Sequence, residues 1–107
     1  MDFKTKAKLL NTDITIRYED AVKGDNGEYL LGRSEFDQAN SNVCIRISTK
    51  DKTGKEFKKS QIDITLRHEL FHAIFDMLYF TKESENETLV EWLANATYSL
   101  NKQGFNI

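Results

Sequence analysis

The chain has 107 residues, 30% of them charged and 39% hydrophobic, with a formal net charge of −2. A chain of this length holds one domain with one modest core, and its composition is that of a soluble globular protein. The near-balanced charge, with no Lys/Arg stripe, argues against nucleic acid or an acidic membrane as partners, and a single cysteine excludes an internal disulfide framework.

No run of about 18 apolar residues occurs, and "MDFKTKAKLL" lacks an apolar core of signal-peptide length, so a cytoplasmic location is expected. Proline is absent, and breaks must be read from Gly, Asn and Asp. "DITIRYED" (13–20) alternates Ile14, Ile16 and Tyr18 against Thr15, Arg17 and Glu19, the period of a strand. The preceding "FKTKAKLL" pairs with it as a hairpin across "LNTD", a short helix being the alternative. "KGDNGE" (23–28) reads as a turn or surface loop. "LLGRSEFD" and "NVCIRIS" flank "QANS" as a second hairpin, in which Cys44 is a small half-buried side chain. The Lys-rich run "TKDKTGKEFKK" (49–59) carries Asp51 and Glu56 and reads as a solvated loop.

Periodicity then changes. Ser60 opens a helix, with Asp63 as the acid of a capping box, and Ile62, Leu66, Leu70, Ile74 and Leu78 recur along one face. Ser84 and Glu87 form a second capping box at the head of "ENETLVEWLANATYSLNK", with Leu89, Leu93, Ala96 and Leu100 on one face and Gly104 shortly after its end. About four residues separate the helices, which predicts an antiparallel pair. The expected fold is therefore α+β, one domain over 1–107: a small antiparallel sheet of three or four strands followed by two antiparallel helices.

The first helix carries both histidines of the chain, as His68-Glu69-Leu70-Phe71-His72. Helical positions i and i+4 share a face with Cβ atoms about 5–6 Å apart, so two imidazoles there can bind one ion. The residue after the first histidine projects beside that ion, where a carboxylate can hold the attacking water. Those are the physical demands behind H-E-x-x-H. Two histidines shuffled through this chain fall into the pattern in roughly one arrangement in six hundred. The competing reading is an amphipathic helix that happens to carry two histidines.

A third ligand must be a carboxylate, since no histidine remains. Asp76 continues the His68–His72 row, but eight residues from His68 it lies about 12 Å along the axis. Three side chains on one straight ridge do not wrap an ion, so Asp76 reads as a surface or supporting acid. Glu83, Glu85, Glu87 and Glu91 are left. If the helices turn back at about residues 80–84, Glu91 lies level with His72 to within about 1.5 Å, while Glu87 lies near Met77. That favours Glu91 as the third ligand, with Glu87, which also has the capping role, as the fallback. Asn95 and Tyr98 share the Glu91 face and could support a ligand or an oxyanion; the plainer reading is polar packing between helices.

A short sheet, then "LRHELFHAIFDML", then "NETLVEWLAN" with its E-x-x-A-N spacing, resembles the minimal zincin metallopeptidases of the ImmA/IrrE type. It is similar in particular to the small stand-alone metallopeptidases of phages and mobile elements. The resemblance covers about residues 62–98 in sequence and the first half in architecture only. It implies one Zn2+ per chain on His68, His72 and Glu91, with Glu69 as the catalytic acid. It also implies hydrolysis of a protein or peptide substrate inside a bacterial cell, for which "VCIRIS" could offer a strand edge. The rival expectation is a zincin scaffold that keeps its zinc and acts by docking a regulatory partner.

Overall fold

The computed structural model describes residues 3–107; Met1 and Asp2, the start of the stretch read for a leader, lie outside the described residues. Six strands precede three helices: β1 Lys6–Leu9, β2 Thr12–Glu19, β3 Val22–Lys23, β4 Tyr29–Leu30, β5 Gly32–Asp37 and β6 Asn42–Ser48, then α1 Lys59–Met77, α2 Thr81–Glu85 and α3 Glu87–Lys102. The main sheet has the order β1-β2-β6-β5, and β3 and β4 form a separate two-stranded ribbon around the 24–28 turn.

Both expected hairpins form. β1 and β2 pair antiparallel across Leu10 and Asn11, whose φ angles are +50° and +66°, the double left-handed turn that suits strand twist. β5 and β6 pair antiparallel from Gly32↔Ile47 to Asp37↔Asn42. The sheet as a whole is not antiparallel, however. β6 inserts between β5 and β2 and runs parallel to β2, with Ile14↔Val43 and Ile16↔Ile45 in register.

Burial explains that placement. Val43, Ile45 and Ile47 are fully buried, so β6 belongs in the middle, where backbone and side chains both leave water. β5, reading Gly-Arg-Ser-Glu-Phe-Asp, has little apolar surface to bury and takes the edge. The correction extends to the strand expected to offer an edge: "VCIRIS" is interior, and β5 holds the outer position.

α1 packs on β5 and β6 and against α3. Ile62 and Ala73 join the core of Ile14, Ile16, Val43, Ile45 and Ile47, with Leu66, Leu70 and Met77 packed beside them. The most buried stripe of α1 is Ile62, Thr65, Glu69 and Ala73, rather than the expected row that ends at Leu78, which is exposed. Being covered on two sides rotates that stripe. In α3 the buried residues are Val90 and Ala94, small enough for close packing, whereas Leu100 of the expected face is 38% exposed.

Neither predicted capping box forms. α1 begins after Lys58 with no side-chain cap, and Asp63 pairs with Arg67 at 2.8 Å instead. α3 is capped by Asn86, whose Oδ1 accepts from the Leu89 backbone N–H at 3.0 Å. Ser84 is buried against α1 near the His72 backbone carbonyl, 3.5 Å from its Oγ. No helix among the described residues is long and apolar enough to cross a membrane.

Candidate metal and catalytic site

Successive turns of α1 project His68 and His72 toward α3. Their Nε2 atoms lie 3.1 Å apart. One carboxylate spans both rings: Glu87 Oε2 is 3.1 Å from His68 Nε2, and Glu87 Oε1 is 3.1 Å from His72 Nε2. His68, His72 and Glu87 thus form a group whose potential ligand atoms fall within 4.8 Å of one another.

Glu91 sits one turn further along α3 and meets the other side of the first imidazole, with its Oε2 2.8 Å from His68 Nδ1. A carboxylate can only accept, so this contact is a hydrogen bond when His68 Nδ1 carries a ring proton and donates it to Glu91. Asn95 in turn donates from Nδ2 to Glu91 Oε1 at 3.0 Å and to the Glu91 backbone carbonyl at 2.9 Å. The result is a chain of contacts from Asn95 through Glu91 to His68. Tyr98 takes no part in it; the Lys102 ammonium lies 5.3 Å from its ring centroid. Asp76 is half-buried and stands outside the histidine group.

The levelling expected from the sequence differs by one turn because α2 is not a hairpin tip. The short helix folds back beside α1 and brings Ser84 to His72 before α3 begins. Glu87, freed from capping by Asn86, then starts α3 level with both histidines. Asn86 was legible as a cap, since Asn ranks with the best N-cap residues; the competing Ser84–Glu87 spacing obscured it.

Glu69, one residue past His68, lines a cleft of about 780 Å³ between α1, the Asp51–Phe57 loop and the Tyr29–Gly32 segment that leads into β5. It is 8% exposed. Burial pushes its carboxyl up from the ordinary 4.5 to about 7; the nearby Glu87 charge adds to the rise, and His68 opposes it. A carboxyl group balanced near neutrality can take a proton and return it within one cycle. His68, His72, Glu87 and Glu91 line the same cleft, so the imidazole–carboxylate group and the buried acid face one space. Gly32 and Thr65 of that wall were not singled out in the sequence, because nothing in a chain pattern shows which strand meets which helix.

Fold and site together define a small α+β domain that presents two histidines and a carboxylate beside a second, buried carboxyl group. Comparison with protein-family models, with curated proteins and with solved structures finds no match for the chain.

Proposed function

We propose that this protein is a zinc-dependent peptidase, a minimal zincin-like domain acting on a protein or peptide substrate. The observation that supports it most is the convergence of His68 Nε2, His72 Nε2 and the Glu87 carboxylate at one point, with Glu69 alongside in the cleft. The donor set suits zinc: two neutral imidazoles and one carboxylate, leaving a position open. The spacing suits it too. Two nitrogens about 2.0–2.1 Å from one tetrahedral ion lie about 3.3 Å apart, and these lie 3.1 Å apart. The resemblance to ImmA/IrrE-type zincins points to the same chemistry but to Glu91 as third ligand. The distances favour Glu87 as the ligand and Glu91 as the group that orients His68 through Nδ1.

Bound there, zinc would polarise a scissile carbonyl and make a water more acidic. Glu69 takes the proton of the attacking water and delivers it to the leaving amine nitrogen as the C–N bond breaks. Its burial keeps the carboxyl ready for both steps. A substrate backbone can add along β5, the outer strand, whose first residue lines the cleft. A regulator protein of a phage or mobile element is the substrate class the resemblance suggests.

The docking alternative rests on Leu78, Tyr79 and Phe80, three exposed apolar side chains in a row after α1. Against it stands Glu69, since a zinc site that only holds structure has no use for a buried carboxyl that has no hydrogen-bond partner among the described residues.

The experiment is elemental analysis of protein purified without chelator, followed by co-expression with regulators from the same genetic element and mass spectrometry of fragments. About one zinc per chain and new fragments that vanish in Glu69→Gln are expected. Metal that stays substoichiometric after zinc addition removes the zinc reading. A biological effect undiminished in Glu69→Gln removes the peptidase reading and leaves docking.

A further inference from the structure

Gly32 opens the edge strand directly beneath Glu69. Its backbone does not require a glycine: Gly27, Gly54 and Gly104 have positive φ, and Gly32 does not. Space is what it provides. A Cβ at residue 32 would stand 2.9 Å from Glu69 Cγ, 3.2 Å from Glu69 Oε2 and 3.2 Å from Thr65 Cγ2. Thr65 is poorly able to retreat, because it is buried and its Oγ1 donates to the Gln61 carbonyl at 2.9 Å. Glu69 can retreat. Among the described residues none hydrogen-bonds to its carboxylate, so packing alone sets where that group points.

We infer that Gly32 is the positioning residue for Glu69: the bare strand backbone at residue 32 is the surface against which the carboxyl is set. The inference rests on the peptidase reading for its consequence but not for its geometry. A methyl group at residue 32 forces a flexible side chain to move by about half an ångström or more, while the fold keeps its core. Catalytic groups must be held to within about 0.5 Å, and a displacement of about 1 Å can cost on the order of 10²-fold in rate. The Thr65 contact therefore makes the substitution somewhat destabilising through overpacking, while the Glu69 contact makes it severe for chemistry. The histidines and Glu87 lie outside the contact, so metal binding should not change.

The test is Gly32→Ala in protein carrying ¹³C-carboxyl glutamate, with the Glu69 resonance assigned by its loss in Glu69→Gln. Expected are a moved Glu69 resonance, zinc content close to that of the parent, a somewhat lowered unfolding midpoint, and kcat lowered about 10- to 100-fold with KM little changed. Added to Glu69→Gln, Gly32→Ala should lower turnover no further, because it acts only through the missing carboxyl. An unmoved Glu69 resonance overturns the inference, as does unchanged kcat in an active parent. If the parent neither holds zinc nor cleaves, the peptidase reading fails, and the resonance alone decides the role of Gly32. Should Gly32→Ala not fold, Gly32→Ala with Thr65→Ser removes the stiffer contact and leaves the Glu69 contact to be read in the same way.

Discussion

At the residue scale, four carboxyl groups within one turn or so of the histidines divide into different roles by what they touch. Glu87 bridges both Nε2 atoms, Glu91 holds His68 Nδ1, Glu69 is buried on the cleft side, and Asp76 reaches none of them. On the proposed zinc-peptidase reading, that division has consequences for metal affinity, turnover and the pH dependence of stability. Glu87→Ala should abolish tight zinc binding, and Glu91→Ala should weaken it about 10- to 100-fold, as loss of a ligand-orienting partner does. Competition with a chromophoric chelator ranks the two, and the opposite order would return the ligand role to Glu91. Glu69→Gln should keep zinc and lower turnover by about 10² to 10⁴. The same variant changes the pH dependence of stability. A carboxyl raised from 4.5 to about 7 on folding binds its proton more tightly in the folded state. Chelator-treated protein therefore loses stability as pH rises through 4.5 to 7, by on the order of 3 kcal/mol at pH 8. Urea midpoints across that range should show the slope in the parent and not in Glu69→Gln.

At the element scale, the ends of the helices set the site. α1 stops in a left-handed turn: Tyr79 has φ +60°, the Phe80 N–H reaches the Phe75 carbonyl at 2.8 Å and the Tyr79 N–H reaches that of Asp76 at 3.1 Å. A tyrosine there is strained where glycine is not. Its hydroxyl accepts one exposed hydrogen bond, from Gln38 Nε2. Tyr79→Gly should therefore stabilise the protein by about 0.5–1 kcal/mol in urea unfolding, the gain expected from relieving that strain at the end of a helix. A clear loss would show that the tyrosine side chain contributes more than its backbone costs. At the other end, Asn86→Ala should cost about 1 kcal/mol through the lost cap. It should also lower zinc affinity, because Glu87 is the first residue of the turn that Asn86 holds. Ser84→Ala, at the residue expected to be the cap, should leave the start of α3 intact.

For the whole molecule, the sheet supplies the platform and its central parallel pair supplies an acid-sensitive joint. Arg46 on β6 meets Glu19 on β2 in a bidentate pair of 2.7 and 3.0 Å, offsetting the adjacent Arg17 and Arg33. The Arg46 hydrogen bond is the main cause that holds the Glu19 carboxyl below its ordinary 4.5. That stability is fully present above pH 4.5 and is lost as pH falls through the lowered value. Glu19→Gln should flatten this acid limb of an unfolding profile; an unchanged limb would assign acid sensitivity to other carboxyl groups. The two hairpins, the helical second half and the facing pair of histidines were legible in the chain, because turn residues and periodicities of two and 3.6 are local properties. The exchange of β5 and β6 was not read, although the contrast between "NVCIRIS" and "GRSEFD" carried it: which strand is central depends on total burial and not on the order of hairpins. The level of α3 against α1 was not legible at all. It depends on five residues of α2 folding back along α1, and no helical spacing counts a turn that the connecting chain takes up. So the chain by itself determined that two imidazoles share a helix face with a carboxylate beside them. Only the packing of α2, α3 and β5 decided which glutamate faces both rings, which one steadies the first, and that a residue without a side chain lies under the third.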